Sequence, residues 1–226
     1  MAPDVHIDKA DQADDHNERG ISFFNLQRYP DAIKEFTRAI KIIDNDPDYH
    51  YNRGLTYYSM KMIEQAIKDY EKAIEIMPDH ADYHNAIASA LEDSGKFDEA
   101  LEHFNRAIEL ESDVPDYYYN RGNAYAKSGK LDSALADFSK AVELNNVDLI
   151  FIYRKYELEI RMEKYEDAVE DMNTAISLVP GNPYYYIAKA EALKSAGKID
   201  EARSTIEEGL KMIPGNPDLN AAMDSL

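Results

Sequence analysis

The chain contains no cysteine, which excludes disulfides, thiol catalysis, iron–sulfur clusters and thiolate zinc sites together. It has no run approaching the ~20 consecutive apolar residues that a membrane span needs. The first residues, Met1 to His6, carry neither a basic nor an apolar stretch, so no secretory signal is expected and a cytoplasmic chain is. Bases are scarce: 25 Lys and Arg stand against 44 Asp and Glu in 226 residues, a formal net charge of −19. Such a surface repels phosphate backbones and anionic lipid, which argues against nucleic acid and membrane as partners. No glycine-rich phosphate loop, HExxH or GxSxG occurs, and an enzyme is not expected. What is present, 44% hydrophobic and 31% charged residues, is the composition of a soluble globular chain of one long or two small domains.

Its organisation lies in self-similarity. Ala32, Ala66, Ala100, Ala134, Ala168 and Ala202 recur every 34 residues without insertion or deletion. Four residues beyond each comes Phe36, Tyr70, Phe104, Phe138, Met172 or Ile206, and twelve before each comes Gly20, Gly54, Ala88, Gly122, Tyr156 or Ala190. With Ala32 as position 20, six units run 13–46, 47–80, 81–114, 115–148, 149–182 and 183–216. Small and apolar residues at positions 4, 8 and 11, then 17, 20, 24 and 27, follow the three- and four-residue steps of buried helical stripes. Gly95, Gly129 and Gly197 break the pattern near position 15, while Pro47, Pro115, Pro183 and Pro217 open new units, where a proline loses no helical hydrogen bond. Each unit therefore reads as two helices, whose axes approach closely at the small residues of positions 8 and 20.

The pattern resembles the tetratricopeptide repeat (TPR) family, whose unit is a 34-residue helix–turn–helix. Pro115-Asp-Tyr-Tyr-Tyr-Asn-Arg-Gly-Asn-Ala-Tyr through Ala134, Phe138 and Ala141 lies close to that signature. The resemblance covers residues 13–216 and implies an all-α, right-handed superhelical solenoid of six repeats. Residues 217–226 are expected to form a capping helix segment, and residues 1–12 a polar tail. Unit five departs from the pattern, with Tyr156 at the small position 8 and Glu159 at the apolar position 11, so widened helix packing is expected over 149–167.

Two polar regularities accompany the repeat. Position 7 is Arg19, Arg53, Arg121 or Lys155 where position 23 is Glu35, Asp69, Asp137 or Asp171, which points to ion pairs between the helices of a unit. His80 and His84 are spaced for a shared zinc ion, but His16, His50 and His84 all occupy position 4. A structural histidine series is the better reading, and no metal or other cofactor is expected.

In proteins similar to this one the first helix of each unit lines a concave groove through positions 2, 5, 6, 9, 12 and 13. The resemblance therefore implies peptide contacts at Asn17, Tyr51, Asn52, Tyr58 and Asn85 in the first three units. In the last three it implies Tyr119, Asn120, Asn123, Lys127, Tyr153, Arg154, Arg161 and Lys194. Asparagine can bond a peptide backbone of any sequence through its donor and acceptor, and tyrosine offers a rigid face. For Tyr51, Asn52, Tyr119, Asn120 and Asn123 a packing role is an equal alternative. The groove positions of the first half hold acids and no base (Asp14, Glu18, Asp48, Asp82, Glu92 and Asp93), whereas bases outnumber acids in the second half. The two-carboxylate clamp that grips the Glu-Glu-Val-Asp tail of heat-shock chaperones needs Lys, Asn, Asn, Lys and Arg at fixed positions, and no starting unit supplies more than two of them. That tail is rejected as a ligand. The expected function is a non-catalytic scaffold or adaptor holding an extended or helical protein segment, preferably one with a basic stretch. The alternative is a structural or self-associating subunit of a larger assembly.

Overall fold

The computed structural model describes residues 8–226, in which all regular structure is helical. The chain folds as two compact units that divide between Asp113 and Val114. The first unit contains α1 (Lys9–Asn25), α2 (Tyr29–Ile42), α3 (Pro47–Ser59), α4 (Ile63–Ile76), α5 (Ala81–Asp93) and α6 (Phe97–Leu110). The second contains α7 (Pro115–Lys127), α8 (Leu131–Leu144), α9 (Leu149–Arg161), α10 (Tyr165–Leu178), α11 (Pro183–Ser195), α12 (Ile199–Met212) and α13 (Pro217–Asp224). Each unit thus holds three helix–turn–helix pairs, and α13 buries Leu219 against Tyr186 and Ile206 at the end of the second. Residues 9–12, expected from the sequence to belong to a polar tail, are the first turn of α1, while residues 1–7 of that tail lie outside the described residues.

Local signals account for these boundaries. The Asp46 and Asp148 side chains accept the backbone N–H of Asp48 and Ile150, and those of Asn182 and Asn216 accept from Tyr184 and Asp218, so each supplies an acceptor to an otherwise orphaned donor in a first turn. The turn inside every pair needs a left-handed residue at position 15. Gly95, Gly129 and Gly197 take it at φ of 82°, 80° and 78°, but Gln27, Lys61 and Glu163 adopt it at 57°, 60° and 59°. The geometry of the turn is therefore kept even where the side chain disfavours it.

Packing within a pair depends on the small residue of position 8. A Cβ at Gly54 would lie 2.7 Å from the Tyr70 ring, and one at Gly122 would lie 2.7 Å from the Phe138 ring. In unit five Tyr156 faces Met172, a thinner and more adaptable side chain. The phenol is buried, and its hydroxyl donates to the Ala188 carbonyl in α11 at 3.2 Å. The ring thus turns toward the following helix pair, joining a cluster with Ile152, Ala168 and Ala192.

The proposed cross-helix ion pairs form in three of four units. Arg53 donates to both carboxylate oxygens of Asp69 (2.8 and 2.7 Å), and Arg121 does the same to Asp137 (2.8 and 2.6 Å). Lys155 lies 2.8 Å from Asp171. In unit one Arg19 pairs instead with Asp15, one turn back on its own exposed helix face. Glu35 is taken by His16 at 2.6 Å and by Arg38. The position-4 histidines all turn toward position 23: His50 lies 3.6 Å from Asp69, and His84 faces His103 at 2.9 Å. His84 Nε2–H donates to the Pro78 carbonyl (2.9 Å), and its Nδ1 shares a hydrogen bond with His103 Nδ1. Burial, and then His84, hold His103 below the usual imidazole range.

Unit five adds a buried carboxyl to its pair. Lys155 Nζ reaches Glu159 as well as Asp171, both at 2.8 Å, and Glu159 is 1% exposed. One cation faces two carboxyls, so burial and the neighbouring Asp171 push the Glu159 carboxyl up to about 7. The folded chain keeps a proton that the unfolded chain releases above its ordinary value of 4.5, so this group makes stability fall as pH rises from there to about 7. Glu159→Gln is expected to remove that slope and to stabilise the chain by roughly 1–3 kcal/mol at about pH 8. Urea unfolding at about pH 5 and about pH 8 checks it; a variant less stable than wild type at the higher pH contradicts the reading.

Candidate functional site

In the first unit the opening helices of successive pairs are joined by side-chain rungs. Tyr49 of α3 donates to Asp14 of α1, and Tyr83 of α5 donates to Asp48 of α3, each at 2.5 Å. Asn52 Nδ2 donates to Asn17 Oδ1 at 3.0 Å, and the Tyr58 hydroxyl donates to Asp93 at 2.9 Å. The partners stand 35 residues apart, one repeat plus one residue, which brings position 3 of one helix beside position 2 of the helix before it. Burial, together with the acceptor carboxylates, raises the hydroxyls of Tyr49, Tyr83 and Tyr58 above the ordinary tyrosine value, so they remain protonated donors.

Two other side chains of this face are less exposed. Tyr51 is half-buried, its ring 5.0 Å from Tyr83 and 5.9 Å from Tyr70, and burial pushes its hydroxyl up to about 12. Part of that ring packs against these neighbours. Glu92 is buried, 8% exposed, whereas Asp14, Glu18, Asp48, Asp82 and Asp93 remain exposed. Asn85 is half-buried on α5. At the rim of this face Lys61 approaches Asp93 at 3.7 Å.

In the second unit Asn123, Lys127, Arg154 and Arg161 converge. They line one cleft of about 340 Å³ between α7 and α9, together with Glu157 and the apolar floor of Ala126, Phe138 and Leu158. Arg154 bridges its walls, donating to Asn123 Oδ1 at 3.0 Å and to Glu157 at 2.9 Å. A second opening of about 550 Å³ adjoins it and shares Arg154 and Glu157. It is lined by Tyr119, Tyr153, Tyr184, Tyr185 and Ile150, and the Tyr184 hydroxyl donates to that of Tyr153 at 2.6 Å. Tyr119 is half-buried, 5.3 Å from the Phe151 ring, and Asn120 is half-buried beside it on α7.

Lys194 does not join this group. Its ammonium donates to the Ser225 carbonyl after α13 at 2.9 Å, and it lines a separate cleft with Glu191, Asp218 and Leu226. The sequence missed Ile150, which is 63% exposed at position 2. The signal was available, because four other units place aspartate there (Asp14, Asp48, Asp82 and Asp116).

No group of three or more metal-ligating side chains exists among the described residues. His80, the zinc candidate, stacks on Tyr83 with ring centroids 4.0 Å apart. No helix of the described residues is long and apolar enough to cross a membrane.

Models of the TPR repeat match residues 20–61 and 90–129, and those of the tetratricopeptide repeat match 47–80, 115–146 and 159–226. No curated protein matches the sequence. Among solved structures, the C-terminal part of a TPR repeat-containing protein from Cytophaga hutchinsonii is similar with a TM-score of 0.77 and 18% identity, over 91% of this chain and 82% of that one. PilF of Pseudomonas aeruginosa gives 0.73 and 16%, over 96% of this chain and 99% of that one. YrrB, described as a TPR protein with an unusual peptide-binding site, gives 0.66 and 19%, over 84% and 98%. These likenesses concern the fold. With these models matching most of its length, the chain belongs to the tetratricopeptide repeat family.

Proposed function

We propose that the chain is a non-catalytic scaffold that holds a segment of another protein along the opening helices of its repeats, the first unit favouring a segment with a basic stretch. Repeats of this family serve as protein-interaction modules, and the similar protein YrrB is described as binding peptide. The observation that carries the reading is the surface of α1, α3 and α5: five exposed carboxylates border the Asn17–Asn52 amide pair, with no base at the groove positions. Such a surface attracts ammonium and guanidinium groups and offers amides to a peptide backbone.

The test is a titration with a lysine-rich synthetic peptide. Exposed charges are screened beyond a Debye length, so affinity is expected to fall at least threefold between about 30 and 150 mM salt. Glu18→Lys combined with Asp82→Lys is expected to abolish binding, with the melting temperature recorded as a folding control. Binding that ignores both salt and charge reversal overturns the proposal.

A further inference from the structure

The repeat supplies its own internal comparison. At position 13, on the last turn of each opening helix, the first unit has Asn25, Ser59 and Asp93, while the second has Lys127, Arg161 and Ser195. At position 2, where four repeats carry aspartate, units five and six carry Ile150 and Tyr184. These side chains are exposed, Ile150 by 63% and Tyr184 by 44%, so the core does not require the exchanges. Both fall on one stretch of surface, because the basic cleft and the tyrosine-lined opening share Arg154 and Glu157.

The chemistry of the two openings is complementary to one kind of ligand. Three cations meet a single carboxylate in the basic cleft, and that carboxylate is already held by Arg154. Arg154 spends Nε and Nη1 on Asn123 and Glu157, which leaves its Nη2 hydrogens for a ligand. The Arg161 guanidinium makes no ion pair or hydrogen bond with the described residues. Next to it the tyrosines present rigid faces with low entropic cost on ordering. A polyanion such as nucleic acid would face the net charge of −19, whereas a short segment engages only the local cations.

We infer that the second unit binds a short acidic segment of a partner protein in which a bulky apolar side chain adjoins carboxylates, the former against Tyr153, Tyr184 and Ile150, the latter against Lys127, Arg154 and Arg161. This deepens the scaffold reading and rests on it, and it gives the two units ligands of opposite charge. Carboxylates match the arginine fork in pairs, and the apolar side chain fixes register along α9.

A fluorescent peptide with a central phenylalanine flanked by glutamates, titrated into the full chain, tests it by anisotropy. Amide chemical shifts locate the site. Arg154→Glu with Arg161→Glu is expected to weaken binding at least tenfold, and Tyr153→Ala at least threefold, with helicity unchanged. Replacing the phenylalanine by alanine is expected to weaken binding, and lysines in place of glutamates to abolish it at this site. Equal binding by the charge-reversed chain, shifts confined to other helices, or a phosphoserine peptide that binds when the glutamate peptide does not, each overturns the inference. The lysine-rich peptide, titrated in parallel, separates the failures: if it still occupies the first unit, only the acidic-ligand site falls.

Discussion

Arg53→Met is expected to destabilise the first unit by about 3–5 kcal/mol at neutral pH, because it leaves a buried carboxylate without its cation. Asp69 is 6% exposed, and burial alone would push its carboxyl up. The hydrogen bonds from Arg53 and the neighbouring His50 outweigh burial and hold it below the ordinary 3.8. In the wild type this group stabilises the fold at neutral pH, and the contribution is lost as pH falls through the lowered folded value. Without the guanidinium the balance reverses. Asp69 must remain charged in an apolar setting or take up a proton, so the defect of the variant should shrink in acid. Arg53→Met with Asp69→Leu should recover most of the loss, since two apolar groups replace the pair without an orphan. Urea unfolding of the wild type, the single variant and the double variant, at neutral and acid pH, measures all three claims. A single-variant loss below about 1 kcal/mol would place the pair with ordinary surface bridges.

Gly122→Val is expected to cost about 3 kcal/mol, at the upper end of overpacking effects. The added Cβ alone would lie 2.7–2.8 Å from two Phe138 ring carbons and 3.3 Å from the Asp137 Cβ. Phe138 is 1% exposed and packed with Ala134 and Leu158, so the ring has no free space to enter. Gly122→Ala should be milder, because alanine regains up to about 1 kcal/mol of helix propensity. Gly122→Val with Phe138→Leu should recover part of the loss by opening room across the pair. The chain contains its own precedent, in which the large Tyr156 at position 8 faces Met172 instead of an aromatic ring. Thermal midpoints of the three variants check the order, and a Gly122→Val midpoint equal to wild type would contradict the close approach.

Most of the fold was legible because packing repeats what the sequence repeats. The small residues of positions 8 and 20, the prolines opening α3, α7, α11 and α13, and the glycines of position 15 each have a local steric reason. The cross-helix ion pairs were legible for the same reason, since positions 7 and 23 are bound to meet once the helices pair. Unit one escaped the rule because Asp15 offers Arg19 a nearer partner on its own helix, and His16 claims Glu35.

The candidate site was less legible, since its residues are exposed and no packing rule constrains them. Periodicity could say that Lys127, Arg154 and Arg161 lie on opening helices, but not that Lys194 would be drawn away by the Ser225 carbonyl. Nor could it say that Tyr51 would lean into the core. The sequence by itself determined the helix pairs, the breaks between them and the sign of charge along each opening helix, because these follow from spacing and residue type. Only the tertiary structure decided which exposed side chains share a cleft, and that the buried Glu159 meets Asp171 across a single lysine. Such choices depend on distances between helices, which residue spacing along one helix does not contain.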